Sequence, residues 1–198
     1  PTTSQATPDA FIKEFEKTKK AGEAAVVITL ASKFSGTYQS ATIAADDYEN
    51  IYVVDSGSAT MGSGILVELA FKLLDEGKNA EEIAAILEEQ KKKIIIVALV
   101  DTLEYLKKGG RISKAVAFAG GVLNIKPVLS VIDGEINMLG KARGSKMGNN
   151  LLVQEIDKAG GIDFNKPVLL GYSGISDALL KKYIEDSRHI WEGNLQEV

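Results

Sequence analysis

The side chains best suited to chemistry in this sequence are hydroxyls, and they fall in two clusters. One cluster is residues 2–4 (Thr-Thr-Ser), and the other is residues 35–37 (Ser-Gly-Thr). Hydroxyl groups donate hydrogen bonds without carrying a formal charge. They therefore suit a site that holds an anion and can later release it.

The second cluster has the better context for binding an anion. It follows a predicted buried strand at residues 25–30 and precedes a predicted alanine-rich helix. In open α/β sheets, ligands bind beyond the carboxyl ends of the strands. Unpaired N–H groups and the helix dipole favour anions there, and Gly36 permits close backbone approach. A carboxylate or phosphate is the predicted ligand. The alternative is that Ser35 only caps the helix and residues 2–4 form a solvated loop.

Three further positions extend this hypothesis. Residues 55–58 (Asp-Ser-Gly-Ser) end a second predicted strand at residues 51–54, so Ser56 can line the same crevice, although helix capping is the favoured interpretation. Arg111 follows two glycines and Arg143 follows a predicted hairpin. Loops often carry recognition residues, but each arginine alone fits a solvated surface charge as well.

Composition excludes several other chemistries. The chain has no cysteine and one histidine, His189, which excludes disulfides, thiolate catalysis and a multi-histidine metal site in this sequence. Neither a Walker A loop nor a dinucleotide fingerprint is present, and the second glycine of residues 171–174 (Gly-Tyr-Ser-Gly) breaks the nucleophile-elbow spacing. The net charge of −4 argues against non-specific nucleic-acid binding.

The order of predicted elements indicates two α/β domains, at residues 1–92 and 93–198. The first half alternates strands with helices, which predicts a parallel sheet. The second half contains strands at residues 127–132 and 135–139 joined by Asp133 and Gly134, a strong hairpin signal. The hairpin predicts that the second sheet is mixed, and a further strand is predicted at residues 167–171. A short helix is predicted after Arg111, and a capping box is predicted at Asn79 and Glu82.

The ends of the chain and its hydropathy add two expectations. The sequence begins at Pro1 rather than at a methionine, so we expect a fragment that lacks terminal segments. It contains no apolar run of about 18 residues, so no transmembrane helix is expected.

Five motifs, taken in order, resemble the DegV family. The longest is residues 101–112 (Asp-Thr-Leu-Glu-Tyr-Leu-Lys-Lys-Gly-Gly-Arg-Ile), and it is very specific. The other four are residues 1–5, 35–41, 55–58 and 123–127. Family members usually carry a further strand and helix before the first motif. They usually end with a glycine-rich strand and a histidine-bearing loop, and neither segment is present in this sequence.

The resemblance implies a bacterial, cytoplasmic, two-domain α/β protein that binds one long-chain fatty acid, such as palmitate, in a buried tunnel. It implies the binding subunit of fatty acid kinase, with no catalysis and no cofactor of its own. A separate kinase phosphorylates the acid with ATP, and the acyl-phosphate feeds phospholipid synthesis. Nucleic acid is not an expected partner, and membrane contact is at most transient.

The family's functional residues carry over to matching positions of this sequence. By resemblance, Thr3 and Ser35 hydrogen-bond the fatty acid carboxylate. Further candidates line the ligand or contact the kinase or the acyl-phosphate. The candidates for lining are Ser4, Gly36, Thr37 and Ser56, and those for kinase or acyl-phosphate contact are Arg111 and Arg143.

Two alternative functions remain open from the residues alone. A serine hydrolase or transferase would use Ser35 or Ser173 as its nucleophile, and it needs a base within hydrogen-bond reach. A lipid-responsive regulatory module would bind the same ligand and signal to a partner.

Overall fold

A computed structural model describes residues 3–112 and 124–195 of the chain. It divides into two compact units: residues 1–94 with the hairpin tip at 132–135, and residues 95–131 with 136–198. The predicted boundary between residues 92 and 93 lies close to this division. The predicted short helix after Arg111 lies outside the described residues.

The first unit is built on a parallel pair of strands. Its elements are α1 (Pro8–Ala21), β1 (Ala25–Thr29), α2 (Thr37–Ala45), β2 (Ile51–Asp55), α3 (Met61–Asp75) and α4 (Ala80–Gln90), followed by a 3₁₀ turn at Lys91–Lys93. β1 and β2 run parallel, with Ala25 opposite Ile51 and Thr29 opposite Asp55. The predicted parallel sheet with helical crossovers is confirmed.

Helices cover both faces of this strand pair, which explains the uninterrupted apolar sequence of β1. Alternate side chains of a strand point to opposite faces. Val27 packs on the side of α1 and α2, in a cluster with Phe15 and Ala44. Ile28 packs on the other side, in a cluster with Leu66 and Leu87 from α3 and α4. A strand with helices on both faces needs apolar residues at every position.

Local sequence signals set the ends of the helices. Pro8 is the first residue of α1, and Gly22 ends the helix in the left-handed region with φ of 69°. Asn79 and Glu82 form the predicted capping box at α4: each side chain accepts a hydrogen bond from the backbone N–H of the other residue.

The second unit contains an antiparallel sheet in the order β3–β4–β5. Its strands are β3 (Val97–Leu99), β4 (Ile125–Ile132) and β5 (Glu135–Arg143), and its described helices are α5 (Glu104–Lys108), α6 (Gly144–Lys158), α7 (Ala178–Asp186) and α8 (Arg188–Trp191). β3 pairs antiparallel with β4. Asp133 and Gly134 both have positive φ, 51° and 73°, as a tight hairpin turn requires. The predicted hairpin is confirmed.

The strand predicted at residues 167–171 is wrong, because this segment is irregular in the structure. Val168 and Leu170 pack instead into an apolar cluster with Leu180, Tyr183 and Trp191. Alternating apolar residues suit both a strand and an extended segment laid on a helix surface. Only a neighbouring backbone would make this segment a strand.

Within residues 3–112 and 124–195, none of the helices combines the length and the apolar character that crossing a bilayer requires.

Candidate functional site

The parallel pairing of β1 and β2 places two polar loops side by side at one edge of the sheet. We call residues 30–36 the β1–α2 loop and residues 56–60 the β2–α3 loop. Ala31 N donates to Ser58 O at 2.7 Å, and Ser56 N donates to Thr29 O at 3.1 Å. The carboxyl edge predicted to bind a ligand therefore carries both loops in direct contact.

Ser35 of the β1–α2 loop and Thr37 of α2 are both half-buried, and their hydroxyls form a hydrogen bond with each other. Ser35 Oγ and Thr37 Oγ1 lie 2.8 Å apart, and Thr37 N donates to Ser35 Oγ at 3.3 Å. The N-cap residue of α2 is Gly36, which has no side chain to accept a hydrogen bond from the first turn. The first turn of α2 also contains no acidic residue. The first turn of α2 thus presents N–H groups and hydroxyls together and carries no carboxylate of its own.

The segment before α1 lies against this same helix start. Gln5 Nε2 donates to Ser40 Oγ, a buried hydroxyl in the first turn of α2, at 3.2 Å. A Cβ added to Gly36 would collide with the Gln5 side-chain amide. The absence of a side chain at Gly36 leaves room for the Gln5 amide at this position. Thr3 is exposed and two residues from Gln5, within about 7 Å of chain.

The β2–α3 loop uses its hydroxyls internally. Ser56 is 1% exposed, donates to Ser58 O at 3.1 Å and lies 3.0 Å from Ser63 Oγ. Its Oγ also accepts the N–H of Ser58. Ser56 therefore occupies the predicted crevice region, but its hydroxyl is engaged in holding the loop.

Two charged residues tie the loops together. The Asp55 carboxylate accepts N–H groups from both loops, at 3.2 Å from Ser32 and 2.9 Å from Gly57. Lys91 Nζ donates to Asp55 O at 2.8 Å and pairs with Glu88 at 2.6 Å. Asp55 thus acts as a fixed acceptor at the point where the loops meet.

The two predicted arginines lie in the second unit, and both are exposed. Arg111 follows Gly110, whose φ is 72°, and its guanidinium donates to Gly109 O at 2.5 Å. Arg143 is the last residue of β5 and immediately precedes α6. Arg111 thus follows α5 by three residues and Arg143 ends β5, and both side chains are accessible to a partner.

Sequence reasoning missed several residues of this edge. Gln5 and Ser40 join the N-terminal segment to α2, and Ser63 and Lys91 support the β2–α3 loop. Ser40 carried a usable signal, since helical spacing places it with Ala41 and Ala44 on the buried face of α2. Lys91 carried none, because its contact with Asp55 spans 36 residues.

The geometry disfavours the hydrolase alternative. In the described part of the chain, the Ser35 hydroxyl bonds only to Thr37, so no base lies within reach. Ser173 is exposed in an irregular segment, and His189 is exposed on α8. Among residues 3–112 and 124–195, no cluster of three His, Asp or Glu side chains suits a metal ion.

Comparison with known proteins places this architecture in one family. The model of the DegV family, described as uncharacterised protein, matches residues 1–196. A DegV domain-containing protein from Caldanaerobacter subterraneus is 42% identical over 166 residues, which is 83% of this chain and 59% of that protein.

Solved structures give the same result. A fatty acid-binding DegV family protein from Thermus thermophilus is 37% identical, with a TM-score of 0.73 over 80% of this chain and 57% of that one. The fatty acid kinase B3 protein from Streptococcus pneumoniae, loaded with linoleic acid, is 27% identical, with a TM-score of 0.75 over 94% of this chain and 66% of that one.

The chain spans somewhat more than half the length of the Caldanaerobacter and Thermus relatives. The match of the family model nevertheless runs through both units, from the hydroxyl segment before α1 to the helices after β5. The chain belongs to the DegV family.

Proposed function

We propose that this protein binds one long-chain fatty acid, with its carboxylate held by the hydroxyls of Thr3 and Ser35. The observation that carries this proposal is the Ser35–Thr37 hydroxyl pair at the start of α2, a helix whose N-cap residue is Gly36 and whose first turn holds no acid. Ser4, Gly36 and Thr37 line the head group, and Ser56 holds the neighbouring loop.

The physical chemistry suits a carrier. Each buried methylene contributes about 0.8 kcal/mol, so a sixteen-carbon chain in a tunnel gains roughly 10 kcal/mol before the cost of ordering. Neutral hydroxyls and helix N–H groups hold the carboxylate without an opposing formal charge. A head group held this way is released more readily than one clamped by a buried, charge-paired arginine.

We further propose that the protein presents its ligand to a separate kinase and has no catalysis of its own. Exposed Arg111 and Arg143 contact that kinase or the acyl-phosphate product. Support comes from the pneumococcal fatty acid kinase protein, with which the chain shares its fold over 94% of its length. The kinase draws on ATP, its product supplies phospholipid synthesis, and both proteins act in the cytoplasm of a bacterium.

Native mass spectrometry, followed by organic extraction, tests the binding. We expect one fatty acid per chain, which is lost when Thr3 and Ser35 are both changed to alanine. Ser32→Ala is the matched control, because Ser32 is an exposed hydroxyl of the same β1–α2 loop. A protein that neither carries lipid nor takes up added palmitate refutes the proposal.

An acyl-phosphate assay with the catalytic subunit of fatty acid kinase tests the second step. The double change Arg111→Ala with Arg143→Ala is expected to lower acyl-phosphate formation while the fatty acid content stays at one per chain. If the lipid-loaded protein supports no phosphorylation at all, the carrier role is wrong and a lipid-responsive regulatory role is favoured.

A further inference from the structure

Thr29, the last residue of β1, has an unsatisfied buried hydroxyl. The residue is 4% exposed, and its Oγ1 has no hydrogen-bond partner in the described structure. The backbone carbonyl of Thr29, in contrast, accepts the N–H of Ser56 at 3.1 Å. The missing partner is that of the side-chain hydroxyl.

An orphaned buried hydroxyl is costly and calls for a physical reason. Buried polar groups are almost always hydrogen-bonded, because losing water without a replacement partner destabilises the folded state. Valine has nearly the same shape as threonine and would satisfy the packing of a buried strand without this cost. The neighbouring buried hydroxyl of Ser56 shows the usual situation, with partners in Ser58 and Ser63.

Thr29 ends β1 directly before the β1–α2 loop of the candidate site, and its side chain points to the face of the sheet that α1 and α2 cover. Side chains alternate along a strand, so Thr29 shares its face with Ala25 and Val27. Those two residues pack in the cluster on the side of α1 and α2. The start of α2 on that side carries the buried Ser40, which binds Gln5 of the N-terminal segment.

We propose that Thr29 donates a hydrogen bond to the bound carboxylate, as a third hydroxyl beneath those of Thr3 and Ser35. This inference rests on the proposed fatty acid binding and identifies a further head-group residue. In the free protein the hydroxyl lacks a partner, and in the complex the carboxylate oxygen supplies one. Hydrogen bonds to a charged acceptor are stronger than neutral ones, so the hydroxyl selects a carboxylate over a neutral head group.

Two substitutions separate a ligand-binding role from a structural one. Thr29→Val removes the hydroxyl and keeps the shape, and Thr29→Ser keeps the hydroxyl. The dissociation constants for palmitate and for 1-hexadecanol are measured on delipidated protein by calorimetry. Urea unfolding of the same delipidated samples gives the stability of the free state.

We expect Thr29→Val to raise the palmitate Kd about tenfold or more, as loss of a hydrogen bond to a charged group implies. The Kd for hexadecanol should rise less, and Thr29→Ser should keep most of the palmitate affinity. The free Thr29→Val protein should unfold at the same or a higher urea concentration than the wild type.

The following outcomes would overturn the inference. An unchanged palmitate Kd for Thr29→Val, or equal losses of affinity for palmitate and hexadecanol, would show that Thr29 does not contact the carboxylate. A lower urea midpoint for free Thr29→Val shows that the hydroxyl has a structural partner. If wild-type protein binds palmitate but the variant binds it equally, only this inference fails. If wild-type protein binds no palmitate, the proposed function fails with it.

Discussion

The β1–α2 loop and the β2–α3 loop occupy equivalent positions in the fold, but their hydroxyls differ in burial and in hydrogen-bond partners. Each follows a parallel strand, precedes a helix and is rich in serine and threonine. Ser56, in the β2–α3 loop, is buried and bonded within that loop. The hydroxyl of Ser35, in the β1–α2 loop, is half-buried, and within the described residues its partner is Thr37. Composition alone thus does not separate a structural hydroxyl from a binding one, whereas burial and hydrogen-bond partners do.

The largest expected effect tests this contrast directly. Ser56→Ala leaves the N–H of Ser58 without its acceptor inside a buried loop, so we expect the free energy of unfolding to fall by about 1–3 kcal/mol. Ser35→Ala removes a half-buried hydroxyl and should change stability by less than about 0.5 kcal/mol. Urea denaturation of delipidated protein measures both values. Equal losses from the two substitutions would show that the loops do not differ.

A second effect tests whether the loops are joined through Asp55. Its carboxylate accepts N–H groups from Ser32 in one loop and from Gly57 in the other. Asp55→Asn keeps only one acceptor oxygen, so we expect a loss of about 1–2 kcal/mol in the free energy of unfolding.

The measurement for Asp55 is a double-mutant cycle with Ser56→Ala. Because both residues hold the β2–α3 loop, their effects should be less than additive. Additive losses would mean that Asp55 stabilises the β1–α2 loop alone.

A third effect concerns strain in the β2–α3 loop. Thr60 has φ of 49° and ψ of −119°, a conformation that a β-branched residue rarely adopts. Thr60→Gly removes the steric cost, so we expect a gain of about 1 kcal/mol in the free energy of unfolding. Thr60→Ala is the control and should give little of this gain, because it retains Cβ. Similar gains for alanine and glycine would place the strain in the branched side chain instead.

Local signals in the sequence predicted much of the fold. The uninterrupted apolar run of β1, Gly22 after α1, and the Asp133–Gly134 turn each fixed an element through chemistry that acts over a few residues. The strand predicted at residues 167–171 failed because strand formation depends on a neighbouring backbone, which no local pattern specifies.

The candidate site was predictable in part for the same reason. The positions of residues 35–37 and 55–58 after two parallel strands predicted that both loops share one edge, and Ala31 N bonding to Ser58 O confirms their contact. The unsatisfied hydroxyl of Thr29 could not be predicted, since it depends on which atoms surround it. Whether Thr3 and Ser35 hold a carboxylate stays a prediction.

The smallest expected effect compares two helix starts rather than two loops. α4 is capped by its own residues Asn79 and Glu82, whereas the N-cap residue of α2 is Gly36, which has no side chain. The hydrogen bond from the backbone N–H of Asn79 lowers the pKa of Glu82 below its usual 4.5. A lowered folded pKa means that this stabilisation is present above pH 4.5 and is lost as the pH falls through the folded value.

Glu82→Gln should therefore slightly reduce the dependence of the unfolding free energy on pH below 5. Urea midpoints at several pH values in this range measure that dependence. Glu81→Gln, an acid in the same first turn but outside the capping box, is the matched control and should leave most of the slope. Identical profiles for the two variants would mean that the helix dipole, rather than the cap, stabilises the charge. Bound palmitate should stabilise the start of α2. It should leave the contribution of the α4 cap unchanged, because Asn79 of that cap already accepts the first-turn N–H of Glu82.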